Sequence, residues 1–232
     1  MMSSNGANVI EAMITYLSKR ARERRVRLFL DMMAPNKEDR ILDLGGSDGS
    51  HIAQILPHRS NITVADIDTK ALELARSKFG FNTILLEEDS PLPIADGSFD
   101  IVFCSSVIEH TTVPKNSIYG FRSNRDFNEA AICGQRRFAS EIIRISKRYF
   151  VQTPYRYFFI ESHTLLPIFV VWFPRRIQLA AIRFFNTWWP KQTEPDWSLL
   201  TVGDMRELFP EADIIRERWM GMTKSIIAVK NH

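Results

Sequence analysis

The chain has 232 residues, 30 Lys and Arg against 27 Asp and Glu, and a formal net charge of +3. This length suits one α/β domain with a modest elaboration and can bury a full core, while so mild a charge argues against a nucleic-acid partner. The only cysteines, Cys104 and Cys133, have neither CxxC spacing nor an accompanying His pattern, so neither a disulfide framework nor a metal site is expected.

A reducing cytoplasm fits this cysteine usage best. The start, MMSSNGANVIEAM, lacks the basic region and apolar core of a secretory signal. No segment reaches the roughly 18 uncharged apolar residues of a membrane span. Residues 8–33 have helical spacing in Ile10, Ile14, Leu17 and Leu28, with Lys19, Arg20, Arg22, Arg24, Arg25 and Arg27 crowded alongside. Such a run reads first as a solvated face, and otherwise as a contact for anionic lipid or phosphate. Pro35 and Asn36 punctuate the exit into a first strand, Arg40 to Leu44.

A helix is predicted from Ser50 to Leu56, a strand over Asn61 to Ala65, an amphipathic helix over Thr69 to Phe79, and a short strand over Thr83 to Leu86. The run FDIVFC, Phe99 to Cys104, has strand length and composition. Thr111 to Asp126 follows neither period and is long for a connection, which usually signals function or mobility. Glu129 to Ile145 returns as a helix with Ile132, Phe138, Ile142 and Ile145 for its inner face, and Arg148 to Gln152 is a fifth strand. An aromatic-rich stretch over 155–190, a helix after Thr201, and a hairpin from Ala212 to Arg218 and Met222 to Val229 complete the chain. Strands alternating with helices at this spacing predict a parallel sheet covered on both faces.

The chemistry concentrates where the strands end. ILDLGGSDGS is an apolar strand entering a small-residue turn and then a helix. Its glycines let backbone approach a ligand closely. Asp66 follows about 20 residues after the first of them, the separation that brings a carboxylate to a ribose hydroxyl pair. A glycine turn between strand and helix is common, however, and often binds nothing. Asp89 with Ser90 ends the third strand, and SSVIEH, Ser105 to His110, leaves the fourth. Asp96 and Asp100 stand before that fourth strand, where local hydrogen bonding is the expected job.

These motifs, in this order, resemble the class I S-adenosylmethionine-dependent methyltransferases, particularly the broad methyltransferase type 11-like group that includes ubiquinone and menaquinone C-methyltransferases. The resemblance covers about residues 38–155. It implies a Rossmann-like, doubly wound, seven-stranded mixed sheet with an antiparallel terminal hairpin and helices on both faces. It also implies a single domain: an N-terminal helical segment 1–37, a cofactor-binding core 38–154, a substrate, lid or interface insertion 155–200, and a terminal helix and hairpin 201–232.

By that resemblance Asp43, Gly45, Gly46 and Gly49 pack against the methionine portion of S-adenosyl-L-methionine. Asp66 holds both ribose hydroxyls, Ile67 lies against the adenine, Asp89 accepts from the adenine amino group, and Ser90 offers its amide. Ser105 and Ser106 line the side where the methyl group is presented. The usual turn is Asp-x-Gly-x-Gly-x-Gly. Here its middle glycine is Ser47, which fits if its backbone angles are ordinary and whose hydroxyl can then reach the cofactor carboxylate.

Methyl transfer from a sulfonium needs chiefly alignment, with a general base where the acceptor is a hydroxyl. His110 is the candidate base, with Glu109 to orient it or act itself, although the pair can equally serve packing. His163 is a second candidate base or acceptor ligand, and Tyr155 and Tyr157 can shape an acceptor pocket. Residues 155–197 interleave Phe, Trp and Leu with Arg. That composition suits a lid or core, peripheral contact with a membrane or lipid-linked acceptor, or a homo-oligomer contact.

The expected acceptor is a small molecule, a glycan or a lipid-linked compound, methylated at oxygen. Two other readings stay open. One is a non-catalytic S-adenosylmethionine-binding scaffold or membrane-docked accessory protein. The other is an NAD-dependent oxidoreductase, whose Gly-x-Gly-x-x-Gly fingerprint meets serine here at its second glycine and leaves Asp89 and SSVIEH unexplained.

Overall fold

A computed structural model describes residues 23–158, 173–188, 194–219 and 221–231. It divides into two compact units, one up to Pro35 and one from Asn36 onward. In the first unit, residues 23–33 form helix α1, with the Ala34 amide donating to Leu30 O at 2.9 Å. Arg24 and Arg27 are exposed on it, and Arg25 is half-buried. Ile10, Ile14, Leu17, Lys19, Arg20 and Arg22 lie outside the described residues.

The second unit is built on one seven-stranded sheet. Its strands are β1 (Ile41–Leu44), β2 (Ile62–Asp66), β3 (Asn82–Leu85), β4 (Phe99–Ser105), β5 (Ser146–Pro154), β6 (Asp213–Trp219) and β7 (Met222–Lys230), in the order β3-β2-β1-β4-β5-β7-β6. β1 to β5 pair in parallel, and β7 is antiparallel to both β5 and β6. Helices α2 (Ser50–Ile55), α3 (Thr69–Phe79) and α4 (Asn124–Ile145) follow β1, β2 and β4. Further on come α5 (Arg175–Trp188) and α6 (Val202–Leu208). The reversed strand and the doubly wound order are those of the expected Rossmann-like mixed sheet.

Strand composition explains the layering. β1 is buried throughout, and β4 is buried at Phe99, Ile101, Val102, Phe103 and Cys104. Near-continuous apolar runs of this kind belong to parallel strands covered on both faces. One core cluster joins Leu42, Leu44, Val102 and Val151 of the sheet to Ala139 and Ile142 of α4 and to Met205 and Leu208 of α6.

Boundaries differ from expectation by one residue at several element ends, and by more at three places for local reasons. α4 starts at Asn124, five residues before Glu129, because Ser123 caps it by accepting from the Arg125 amide at 3.1 Å and Phe127 adds another buried position. The preceding loop is correspondingly shorter and contains a 3-10 turn, Lys115–Gly120. β5 is longer than expected because β4 and β7 pair with it on opposite sides.

Asp96 and Asp100 also act over longer range than expected. Asp96 meets Arg144 Nη1 at 2.7 Å, and Asp100 accepts from the Arg40 amide at 2.9 Å and from Lys147 Nζ at 2.8 Å. These donors hold the Asp100 carboxyl below the usual carboxylate range. Among the described residues, no helix is long and apolar enough to cross a membrane.

Candidate functional site

Register brings the sequence motifs to one rim. Leu44 pairs with both Ala65 and Cys104, so Gly45, Asp66 and Ser105 leave the sheet at the same level, and Ser105 pairs with Gln152. This is the carboxyl edge beside the switch between β1 and β4, where open α/β sheets bind ligands.

The turn after β1 is tight for steric reasons. Gly45 has φ of 73°, and a side-chain carbon there would overlap Val107. A side-chain carbon on Gly46 would overlap the Asp43 carboxylate. Ser47 departs from the expected ordinary backbone and sits at φ 51°. Its amide donates to Asp66 Oδ2 at 2.8 Å, and the Asp68 amide donates to Asp66 Oδ1 at 3.0 Å. Asp66 therefore ties the glycine turn to the end of β2 and keeps further lone pairs for a ligand, since a carboxylate offers about four acceptor sites.

Asp43 lies beneath this turn, 3% exposed, and its Oδ2 has no hydrogen-bond partner among the described residues. Burial first, and the charge of Asp66 second, push its carboxyl up to about 7. A buried, under-partnered carboxylate touching a glycine turn provides what a cationic ammonium group would meet there.

A cavity of about 900 Å³ opens over the rim. Gly45, Asp66, Ile67, Asp89, Ser90, Ser106 and His110 all line it. Asp43, Gly46, Ser47, Gly49 and Ser105 are not on its wall and form the turn and its support. Asp89 and Ser106 adopt φ of 58° and 61°. The hydroxyls of Ser105 and Ser106 both donate to Gln152 Oε1, at 2.8 and 3.3 Å, so β5 orients this end of β4.

The expected Glu109–His110 partnership takes another form. Glu109 is buried away from the cavity and its Oε2 accepts from Thr153 Oγ1 at 3.0 Å. His110 faces the cavity, and its Nδ1 lies 3.1 Å from Asp196 Oδ1. His163 lies outside the described residues. Tyr155 and Tyr157 stack edge to face, and neither lines the cavity.

Sequence reasoning missed two parts of the site. Asp196 stands 86 residues from His110 in a stretch without periodicity. The opposite wall comes from α4, through Cys133, Gly134, Arg137 and Phe138. Gly134 was the available signal for that wall, because a glycine inside a helical pattern usually marks close packing. A side-chain carbon there would overlap Thr112 O, so Gly134 lets the helix close on the loop after β4. Among the described residues, no group of three His, Cys, Asp or Glu could hold a metal ion.

Comparison with known proteins agrees with this fold. Residues 42–120 match a family model described as a methyltransferase domain. No curated protein matches the chain. Among solved structures, magnesium protoporphyrin IX methyltransferase from Synechocystis PCC 6803, with S-adenosylhomocysteine bound, is similar at TM-score 0.51 and 14% identity, over 95% of this chain and 87% of that one. A protein from Pyrococcus horikoshii OT3 is similar at 0.53 and 12%, over 92% and 89%. A SAM-dependent methyltransferase from Methanosarcina mazei is similar at 0.51 and 14%, over 84% and 92%. At these identities the likeness is one of fold.

Proposed function

We propose that this chain, which carries a methyltransferase domain over residues 42–120 and takes S-adenosyl-L-methionine as its methyl donor, methylates a hydroxyl oxygen on a small-molecule, glycan or lipid-linked acceptor. One observation carries the reading: Gly45 at the start of the glycine turn, Asp66, Asp89 and His110 face a single cavity. At about 900 Å³ it is near the upper end of the roughly 300–1,000 Å³ typical of ligand sites, room for a donor and an acceptor side by side.

In this arrangement Asp66 accepts from the ribose hydroxyls and Ile67 covers one face of the adenine. Asp89 takes the adenine amino group and the Ser90 amide donates to the ring. The Gly45–Gly49 turn holds the methionine portion, with Asp43 beneath it. Ser105 and Ser106 shape the methyl side through their shared bond to Gln152.

Bound there, S-adenosyl-L-methionine supplies a methyl group whose bond to sulfur breaks as the acceptor oxygen takes it, with the electron pair staying on sulfur. His110 takes the hydroxyl proton, a contribution of about 10² to 10⁴-fold where such a base is used. Helix α5 supports a peripheral role at a lipid surface, since Ile177 and Phe184 are 50% and 65% exposed beside exposed Arg176.

Calorimetry tests the assignment. Asp66→Ala should weaken S-adenosylmethionine binding by about 1.5 to 3 kcal/mol, the range for hydrogen bonds to a charged group. Equal binding by variant and parent would refute the ribose contact. Binding of NAD in place of S-adenosylmethionine would restore the dehydrogenase reading. A panel of hydroxyl acceptors with methyl-labelled donor then tests transfer, and binding without transfer to any of them favours the scaffold.

A further inference from the structure

We infer that Asp196 is a positioning residue for His110: it holds the imidazole as the Nδ1–H tautomer, leaving the ring's lone pair on Nε2. The inference rests on the proposed use of His110 as the proton acceptor.

The pair is a long-range product of the fold. His110 follows β4, whereas Asp196 belongs to residues 194–199, a described stretch without helix or strand, yet Nδ1 and Oδ1 stand 3.1 Å apart. Four contacts fix that segment on both sides of Asp196. Arg175 Nη2 donates to Pro195 O at 2.6 Å, and Thr112 Oγ1 donates to Asp196 O at 2.6 Å. The Ser198 amide donates to Glu109 O at 2.8 Å, and Gln135 Nε2 donates to Ser198 O at 2.8 Å. These anchors come from α5, from the loop after β4 and from α4, and the last two also line the cavity.

Arg175 is the most telling of them. It is 2% exposed, its guanidinium stacks 3.8 Å over the Phe127 ring, and burial lowers its pKa to about 10. A buried arginine is costly to desolvate, and here it is spent on a backbone carbonyl adjoining Asp196.

Stability alone does not account for the pair. His110 and Asp196 side chains are 43% and 19% exposed, and ion pairs in such settings typically contribute about 0 to 1 kcal/mol. Tautomer control needs no such energy. A carboxylate on Nδ1–H decides which nitrogen carries the proton and how the ring is oriented. Among the described residues, charges near the pair include Lys115, which feels both Glu194 and Asp196 and bonds Glu88 at 2.6 Å, and Arg175 itself.

The test is ¹⁵N NMR of histidine-labelled protein with S-adenosylhomocysteine at pH 8.5, His110 being assigned by its loss in His110→Gln. In the parent, Nδ1 should read as protonated and Nε2 as the bare, pyridine-like nitrogen. Asp196→Ala should shift the ring toward the Nε2–H form, and Asp196→Glu should restore the parental pattern. With any hydroxyl acceptor that the parent methylates, Asp196→Ala should lower kcat at least 30-fold and leave the KM for S-adenosylmethionine within threefold. A parent ring already in the Nε2–H form, or a tautomer unmoved by Asp196→Ala, overturns the inference. The tautomer is read without turnover, so failure to find an acceptor would count against the proposed function and not against this positioning role.

Discussion

Replacing Asp43 by Asn should change how stability depends on pH, by an amount that follows from the site. Burial, and then Asp66, raise the Asp43 carboxyl from 3.8 to about 7. Between those values the folded protein binds more protons at this group than the unfolded chain does. Stability contributed here is therefore complete at acid pH, falls as pH rises through the window, and is lost above it. At 1.36 kcal/mol per pKa unit the whole window is about 4 kcal/mol, and the share between pH 5 and pH 8 is about 2 to 3 kcal/mol.

Asn cannot ionise and lacks this slope. Urea unfolding of parent and Asp43→Asn at pH 5 and pH 8 isolates the difference, because every other titrating group is common to both. The variant should gain about 2 to 3 kcal/mol relative to the parent between the two pH values. A difference that stays constant within about 0.5 kcal/mol would show that Asp43 does not titrate abnormally and would refute the argument.

Arg144 clamps the loop before β4 to α4, reaching Ile94 O and Asp96 at 2.7 Å, Leu92 O at 3.2 Å and both oxygens of Glu141. Arg144→Met should cost about 2 to 3 kcal/mol in chemical denaturation, and Arg144→Lys should recover only part of it because Lys lacks the planar fork. Ser47→Gly should stabilise by about 0.5 to 1 kcal/mol. The left-handed backbone at Ser47 costs about 1 to 2 kcal/mol, and glycine's extra chain entropy returns roughly 0.5 to 1 of it. A Ser47→Gly protein that is stabilised but binds S-adenosylmethionine more weakly would assign the hydroxyl to the cofactor carboxylate.

What the sequence made legible was whatever one local signal decides. Both ends of α3 were readable because Asp68 caps its start and Gly80, at φ 70°, closes it. β1 and β4 were readable because buried parallel strands are apolar almost without a break. The start of α4 was not, since a lone Ser123 cap lies inside a stretch with no period to announce it. Asp196 was invisible for another reason. Its role depends on Arg175, Thr112, Gln135 and Glu109 meeting around one irregular segment, and no spacing in the chain encodes that meeting.

The residues that break local rules are gathered at the rim. Of the five non-glycine residues with positive φ among the described residues, three, Ser47, Asp89 and Ser106, belong to the cavity or its turn. Beside them Asp43 keeps a carboxylate buried where neutral packing would serve the apo protein better. Strain and an under-partnered acid persist when the surrounding structure over-determines them, and they cluster where a ligand is gripped. A donor bearing both an ammonium and a sulfonium would place positive charge near Asp43 and Asp66 together, favouring the ionised form that burial opposes. Binding of a cationic nucleoside at this rim would then draw part of its driving force from relieving the charge that burial opposes at neutral pH.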